Sequence, residues 1–298
     1  MKQFAIYTAC IGGYDNIVQP EVIDERFDYI LFTDDVKEQR IGVWQVRPVV
    51  YTHTDKTRIA RYVKTHPHEL LPQYKATLWM DSSIQIVSHK VYARFVELFN
   101  ANIDIASVKH PKRDCIFDEA YEVASRKQPG ALEYDNVALV WCHALWKEHY
   151  PRHNGLYETG ILFRRNNEVV QKADELWWNC INAYSKRDQL SFNYVLWKIK
   201  PLVGEYLSDG EHVMNSDKIH YAGHSAISAR KALSLTRLQL IRYKFRVRNK
   251  ENAHAQWYSL LAKRNPVLWL YTWGTFTAIC DIIGFKFKKY VKITQTKN

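Results

Sequence analysis

The most constraining feature of this sequence is a series of short apolar runs that end abruptly in small or acidic residues. These runs have the length of buried strands, and segments of helical pattern separate several of them. The clearest examples are residues 4–10, 29–33, 43–50, 77–80 and 103–108. Alternating strands and helices predict an α/β fold, here a single Rossmann-like domain with doubly wound topology. Such folds bind ligands at the carboxyl ends of their strands.

The run at 77–80 ends in Asp81, Ser82 and Ser83, and its position makes Asp81 a site candidate. A carboxylate at the end of a buried strand suits a hard cation such as Mg²⁺ or Mn²⁺, which prefers oxygen ligands and often bridges to phosphates. Asp81 is therefore predicted to anchor a metal–nucleotide site. The alternative is an aspartate that caps a turn after a core strand.

Glycines and cations accompany the other early segments. Gly12 and Gly13 follow the first run, and two glycines allow the backbone to approach a ligand closely. Arg58 and Arg61, with Lys64 more loosely, share one face of a predicted helix and suit a diphosphate or a carboxylate. An ordinary turn and a solvated basic face are the respective alternatives.

Polar residues also interrupt two later apolar segments. Glu158 and Gly160 lie within the strand-like run 155–164, where Gly160 permits close approach and Glu158 can accept hydrogen bonds from sugar hydroxyls. A bulge at a strand end explains the same pattern. Asp188 and Gln189 stand where a helix is predicted to begin; an N-cap role accounts for Asp188 and leaves Gln189 unexplained.

His220 and His224 flank Gly223 in a segment of strand character. Lone histidines are usually structural, but this pair around a glycine supports a ligand-binding hypothesis. Five cysteines are scattered without a CxxC pair. This indicates neither a disulfide framework nor a structural zinc site, and it fits a reducing compartment.

The basic charge of the protein is concentrated at the C-terminal end. Residues 226–298 contain fifteen Lys/Arg and two acidic residues, whereas the remaining residues contain 27 Lys/Arg and 29 acidic residues. The near-neutral body argues against nucleic-acid binding, and the basic segment indicates contact with an anionic surface.

Residues 266–285 are apolar and aromatic, and four lysines follow them within 286–292. Glycines, threonines and Asp281 make a spanning helix unfavourable, whereas Trp, Tyr and Lys together suit a membrane interface. We therefore expect two parts, residues 1–225 and a mostly helical extension, 226–298, that contacts an anionic membrane. Packing of this extension on the body is the alternative.

The N-terminal residues lead directly into a strand without the apolar region of a signal peptide. The expected location is therefore cytoplasmic and peripheral on the inner face of the cell membrane.

Several separated motifs together resemble the glycosyltransferase-like domain of the plant turgor-regulation and mucilage-related proteins and their bacterial relatives. The resemblance covers roughly residues 3–225 and rests on YTACIGGYD (7–15), FTD (32–34), RIARYVKTHPH (58–68), LWMDSS (78–83), KHPKRDC (109–115) and RDQLSF (187–192). The sequence is more distantly similar to glycosyltransferase family 8, whose late HxxGxxKPW motif resembles IHYAG at 219–223.

This resemblance implies a GT-A fold that binds a nucleotide-sugar donor, with UDP as the expected nucleotide, and a divalent metal, Mn²⁺ or Mg²⁺. Asp81 and Ser83 take the DxD positions, and His220 takes the third metal position. The implied donor-binding residues are Tyr7, Thr8, Gly12, Gly13, Asp34, Arg58, Arg61, Ser82, Gly223 and His224. Gln189 is implied to lie beneath the donor sugar, and Asp188 and Glu158 are the other catalytic candidates.

Two departures from the family 8 pattern concern the metal and the diphosphate. Ser83 replaces the second DxD carboxylate and is a weaker, neutral ligand. The Lys-Pro-Trp sequence is absent after Gly223, so Arg58, Arg61 or His224 is expected to meet the diphosphate charge.

The predicted function is transfer of a hexosyl or uronosyl group from a nucleotide sugar to a surface polysaccharide, such as capsule or lipopolysaccharide, or to a lipid-linked glycan. The family 8 similarity implies a metal-assisted reaction that retains anomeric configuration. A non-catalytic nucleotide-sugar-binding protein is one alternative. A lipid-processing hydrolase such as a ceramidase is another, although the sequence contains no nucleophile elbow and no metal-hydrolase spacing of His and Asp.

Overall fold

The computed structural model describes residues 2–35, 37–125, 141–142 and 144–223. The chain divides into two compact units, Met1–Asp114 with His153–Arg230 and Cys115–Arg152 with Lys231–Asn298. The predicted extension at 226–298, its boundary after residue 225 and the candidate His224 lie outside the described residues. Within the described part, no helix is long and apolar enough to cross a membrane.

The first unit is built around a large mixed sheet. The strands of the chain, in sequence order, are β1 (Phe4–Cys10), β2 (Phe27–Thr33), β3 (Arg40–Ile41), β4 (Trp44–Pro48), β5 (Ala76–Met80), β6 (Ile84–Ile86), β7 (Ile105–Lys109), β8 (Tyr157–Arg165), β9 (Val203–Glu205) and β10 (Ile219–Tyr221). Eight of them form one sheet in the order β3-β4-β2-β1-β5-β8-β7-β9, and β6 pairs with β10 in a small second sheet.

Most neighbouring strands of the large sheet are parallel. β4, β2, β1 and β5 run in one direction, whereas β8 is antiparallel to both β5 and β7. The prediction of an α/β fold is therefore confirmed. The antiparallel β8 departs from a regular doubly wound sheet, in which every strand of the core would be parallel.

Helices cover both faces of the sheet in the first unit. They are α1 (Lys56–Thr65), α2 (Pro67–Leu70), α3 (Lys90–Asn100), α5 (Glu168–Ala183) and α6 (Gln189–Ile199), while α4 (Ile116–Ser125) belongs to the second unit. Asp55 caps α1 by accepting a hydrogen bond from the Thr57 amide at 3.0 Å. Asn167 caps α5 in the same way through the Val170 amide, at 2.9 Å.

The two faces of β1 show how the helices are placed. Phe4 faces α3, where its ring lies 5.0 Å from that of Phe95. Tyr7 faces the opposite side and packs edge-on against Trp79 of β5, with ring centroids 5.2 Å apart. Because both faces of these central strands are buried, their sequences are continuously apolar. Residues shortly after the carboxyl ends of β1 and β2 are exposed, and we call this end of the sheet the open edge.

Candidate functional site

The carboxyl ends of β1, β2 and β5 lie side by side at one edge of the sheet. The parallel registers pair Cys10 with Thr33 and Tyr7 with Trp79, so the segments that follow these strands meet at this edge. They carry the Gly12–Gly13 loop, Asp34 and Asp81 respectively. The structure thus brings together the predicted features of the three strand ends.

Asp81 has one carboxylate oxygen fixed by the protein and one directed outward. Its Oδ1 accepts a 2.8 Å hydrogen bond from the Trp79 indole and lies 3.6 Å from the Lys64 ammonium. No described residue donates a hydrogen bond to Oδ2, and 40% of the side chain is exposed. Asp81 therefore presents one oxygen to a ligand. The turn of the alternative prediction is also present, because the Ile84 amide donates to the Asp81 carbonyl at 2.9 Å.

A bulge in β8 forms the wall beside Asp81. The register of β7 against β8 jumps between Ser107 and Val108, and the Ser107 hydroxyl bridges this irregularity by donating to the Glu158 and Ile161 carbonyls. The bulge that was the alternative explanation of the polar residues Glu158–Gly160 is thus observed. The antiparallel pairing of β5 with β8 brings the Gly160 carbonyl within 2.9 Å of the Asp81 amide.

Gly160 lies in close contact with Asp81 and Ile84 at this wall. A Cβ atom at position 160 would lie 3.1 Å from Ile84 Cδ1 and 3.4 Å from Asp81 Oδ2. A larger side chain would therefore press on the core and cover the outward oxygen of Asp81. This agrees with the close approach that the sequence predicted for Gly160.

Behind Asp81 lies a buried ion cluster centred on Asp188. The Asp188 carboxylate accepts hydrogen bonds from the Lys64 ammonium at 2.5 Å and from the Thr159 hydroxyl at 3.0 Å. Arg61 lies 3.3 Å from its other oxygen. Asp188 precedes α6, but its side chain makes no capping hydrogen bond. Asp188 thus stands at the N-cap position, as the alternative predicts, but its carboxylate does not cap the helix.

The charges of this cluster stabilise one another. Burial disfavours the Asp188 carboxylate, but the attraction of Arg61 and Lys64 outweighs it and holds the pKa of Asp188 below its ordinary value. Burial lowers the pKa of Lys64, and the charges of Asp188 and Asp81 oppose this effect. With both carboxylate oxygens occupied, Asp188 is placed as a partner of Lys64 rather than as a group that contacts a ligand.

A second buried network fixes the backbone of Lys64 at the end of α1. The last carbonyls of a helix lack intrahelical partners, and the Lys64 carbonyl accepts hydrogen bonds from the Tyr7 hydroxyl at 3.0 Å and from Arg164. Asp174 binds Arg164 at 2.7 Å and supplies its counter-charge. Burial raises the pKa of Asp174 to about 6, even though Arg164 acts in the opposite direction.

Tyr7 and Thr8 do not lie where the donor was expected. Their exposed fractions are 0% and 2%, so neither is available to a ligand that enters from solvent. Tyr7 is committed to Lys64 and Arg164 instead. Their placement corrects the prediction, which could not distinguish a strand residue below the site from one at its surface.

Arg58 and Arg61 share a helix face as predicted, but this face is directed at the protein. Arg58 donates to the Ile181 carbonyl at 2.8 Å, near the end of α5. Arg61 approaches Asp188 and donates to the Lys186 carbonyl at 3.4 Å. The described contacts do not place either arginine at a diphosphate, because both anchor the segment between α5 and α6.

The glycine loop is joined to Asp34 and to the first turn of α1. Gly12 and Gly13 both have positive φ, and the Gly12 amide donates to Asp34 at 2.7 Å. Lys56 forms an ion pair with the same carboxylate, and 58% of its side chain is exposed. Although burial acts against the charge, the Gly12 N–H and Lys56 lower the pKa of Asp34.

Gln189 is a polar side chain at the start of α6. It is the first residue of α6 and is 8% exposed, yet no residue in the described ranges forms a hydrogen bond with its amide. The amide therefore meets solvent, and it can donate and accept hydrogen bonds with a ligand that replaces this solvent. Glu158 differs, because its carboxylate already accepts a long bond, 3.4 Å, from the Val213 amide.

The three residues assigned to a metal do not form one ligand set. Ser83 is 2% exposed, and its carbonyl accepts a 2.8 Å bond from the Ala222 amide, directly before Gly223. His220 is exposed and pairs with Gln85 in the small sheet. Among the described residues, no group of three His, Cys, Asp or Glu ligand atoms includes Asp81 or His220.

Tyr221, the neighbour of His220 in β10, lies near enough to Asp15 and Asp81 for their charges to act on its hydroxyl. Burial raises the pKa of Tyr221, and the charges of Asp15 and Asp81 raise it further. Successive side chains of a strand alternate, so His220 projects from the opposite face of β10. The arrangement does not fit the predicted metal ligands.

Ser82, predicted to bind the donor, is held beside the glycine loop. Its hydroxyl donates to Asp15 at 2.8 Å. This bond joins the end of β5 to the loop that follows β1, so Ser82 holds these two segments of the site together. Asp15 belongs to the glycine-loop motif, and the sequence did not predict a role for it in the site.

Sequence reasoning missed the residues that surround Asp81 from behind. Lys64 was recognised only as a loose member of a basic face, and Thr159 and Trp79 were not assigned to the site. One signal was present for Lys64: it adjoins Val63, which with Ile59 forms the apolar face of α1. A lysine next to that face, rather than opposite it, is a candidate for burial with a counter-ion.

The fold and these contacts define an α/β domain with a candidate ligand site at the carboxyl ends of parallel strands. Residues 2–213 match the family described as TOD1/MUCI70, glycosyltransferase-like domain. The chain belongs to this family.

Two relatives from Arabidopsis thaliana were found. One is "Probable hexosyltransferase MUCI70", 24% identical over 231 residues that cover 67% of this chain and 38% of the relative. The other is "Alkaline ceramidase TOD1", 23% identical over 182 residues that cover 58% of this chain and 39% of the relative. The chain thus spans less than two fifths of the length of either curated relative.

A solved structure, "WbbM bifunctional glycosytransferase apo structure", is similar with a TM-score of 0.38 and 11% identity. The similarity covers 68% of this chain and 38% of that chain.

Proposed function

We propose that this protein is a glycosyltransferase that moves a hexosyl group from a nucleotide-sugar donor to a glycan or a lipid-linked acceptor. The observation that carries the proposal is the edge at which the Gly12–Gly13 loop, Asp34 and Asp81 meet, because carboxyl strand ends are where α/β sheets bind ligands. Family membership and the hexosyltransferase name of one relative support this chemistry. UDP-hexoses are the first donors to test, followed by UDP-uronic acids.

The residues of the edge suit different parts of a donor. The Gly12–Gly13 loop can admit the nucleotide closely, because neither glycine has a side chain. Lys56 is an exposed cation at this loop and can meet the diphosphate when the donor displaces it from Asp34. Neutralising the leaving diphosphate lowers the barrier to glycosyl transfer.

The donor sugar is proposed to lie between Asp81 and Gln189. The outward Oδ2 of Asp81 can accept from a sugar hydroxyl, and the amide of Gln189 can both donate and accept. An oxygen dipole near the anomeric carbon stabilises an oxocarbenium-like transition state, which makes Gln189 the preferred catalytic candidate. Retention of anomeric configuration, a surface-polysaccharide acceptor and peripheral attachment to an anionic membrane remain parts of this proposal.

The test uses the full chain with a panel of nucleotide sugars, first by thermal shift and then by donor hydrolysis or transfer. We expect one donor to raise the Tm and to turn over. Asp81→Asn should lower turnover at least tenfold, whereas the matched control Asp35→Asn should leave it unchanged, because 62% of the Asp35 side chain is exposed and it pairs only with Lys37 in the described part of the chain. Full activity of Asp81→Asn would refute the assigned site.

The same panel separates the two alternatives. A non-catalytic binding protein would give a thermal shift without turnover. The likeness to a protein named as a ceramidase makes ceramide cleavage the second activity to assay. A lipid hydrolase would cleave ceramide and show no response to any nucleotide sugar.

A further inference from the structure

Lys64 occupies an unusual position between two carboxylates. Its side chain is 1% exposed, and its ammonium lies 2.5 Å from Asp188 and 3.6 Å from Asp81. The indole rings of Trp79 and Trp177 lie 5.4 Å and 5.9 Å from the same atom. Indole faces attract cations, so the ammonium is held by charges and rings on several sides.

The two carboxylates that share Lys64 differ in accessibility. Asp188 is 3% exposed, and Lys64, Arg61 and Thr159 occupy its oxygens, whereas 40% of the Asp81 side chain is exposed. A ligand from solvent can therefore reach Asp81 but not the carboxylate of Asp188. Any influence of Asp188 on the reaction has to pass through another residue, and Lys64 is the one that contacts both carboxylates.

Lys64 approaches Asp81 at Oδ1, which lies 3.6 Å from its ammonium. The same oxygen accepts the Trp79 indole bond, and Oδ2 lies on the side of Gly160. Two partners on Oδ1 fix the rotation of the carboxylate. Fixed orientation of a ligand-binding group by surrounding residues typically determines how well the group works.

Resting on the function proposed above, we propose that Lys64 is the positioning residue of the donor site. Asp188 holds Lys64, and Lys64 holds Oδ1 of Asp81 so that Oδ2 alone faces the donor. Asp188 is then not a catalytic residue, because it acts through Lys64 without touching the substrate.

The first test is a double-mutant cycle of Lys64→Met and Asp188→Asn measured as kcat/KM for donor turnover. Each single variant should lose about 10–100-fold. The kcat/KM of the double variant should be no more than about threefold below that of the less active single variant, because Asp188 has no residue to act through once Lys64 is removed. Losses that multiply would overturn the proposal, because Asp188 would then act on the substrate directly.

The second test does not depend on activity. Trp79 donates its indole N–H to Oδ1 of Asp81, so the indole ¹⁵N–¹H resonance of Trp79 in the ligand-free protein reports on that carboxylate. The resonance, assigned with Trp79→Phe, should shift in both Lys64→Met and Asp188→Asn. It should not shift in the control Lys186→Met, which breaks the ion pair of Lys186 with Asp55 at the other end of α1.

An unshifted Trp79 resonance in folded Lys64→Met would refute the proposal even if the protein turns over no nucleotide sugar. If Lys64→Met fails to fold, the resonance in Asp188→Asn decides in the same way. Absence of turnover in the wild-type protein, with a shifted resonance, would refute the proposed function alone.

Discussion

Asp188→Asn tests the buried ion cluster by removing one charge without changing the size of the side chain. The substitution leaves Lys64, 1% exposed, with Asp81 at 3.6 Å as its only carboxylate among the described residues. Breaking a buried ion pair from one side typically costs about 3–5 kcal/mol, because the remaining charge stays buried. This is a large part of the roughly 5–15 kcal/mol that stabilises a typical domain.

The assay is urea unfolding at pH 7, with the free energy of unfolding extrapolated to water. The matched control is Asp55→Asn, which removes a more exposed ion pair to Lys186 and keeps a residue that caps α1 well. We expect the free energy of unfolding to fall by about 3 kcal/mol or more in Asp188→Asn and by at most about 1 kcal/mol in Asp55→Asn.

The pH dependence has a defined sign. The folded-state pKa of Asp188 lies below its ordinary value, so this carboxylate contributes stability above about pH 4 and loses that contribution as the pH falls towards the folded-state pKa. The difference between wild type and Asp188→Asn should therefore persist from pH 8 to 6 and decrease only in acid. A difference below about 1 kcal/mol at pH 7, or one that disappears between pH 8 and 6, would refute the ionised cluster.

Three further predictions concern the open edge. Gly160→Ala should change the free energy of unfolding by no more than about 1 kcal/mol, because the tight contact with Ile84 offsets the gain from the lower entropy of the unfolded chain. Turnover should nevertheless fall at least tenfold. Unchanged turnover would contradict the placement of Gly160 beside the ligand-binding oxygen of Asp81. Mn²⁺ alone should not shift the Tm, because the predicted ligands do not converge; saturable micromolar binding by electron paramagnetic resonance would contradict this. Lys56→Met should weaken donor binding about tenfold in calorimetry at unchanged stability, and equal affinity would remove Lys56 from the site.

The sequence predicted those features of the site that depend only on residues near one another in the chain. The strand before Asp81, the glycines after β1 and the capped start of α1 at Asp55 follow from apolar runs, glycine content and capping preference. The helix face shared by Arg58, Arg61 and Lys64 also follows from the helical period.

What the sequence could not supply was the direction in which a side chain points within a continuously apolar strand. β1 is buried on both faces, so no alternation of polarity distinguishes Tyr7 from Thr8 or places either beneath the site. The antiparallel direction of β8 and the pairing of β10 with β6 are long-range properties. These pairings bring Thr159 to Asp188 and turn His220 away from Asp81.

The most direct measurement of the central claim is a crystal structure of the full chain with the nucleotide sugar that raises its Tm most. We expect the nucleotide at the Gly12–Gly13 loop and Asp34, and the sugar between Asp81 Oδ2 and Gln189. We also expect Lys64 to stay on Asp188 and Asp81 Oδ1. A donor bound away from the carboxyl ends of β1, β2 and β5 would contradict this claim.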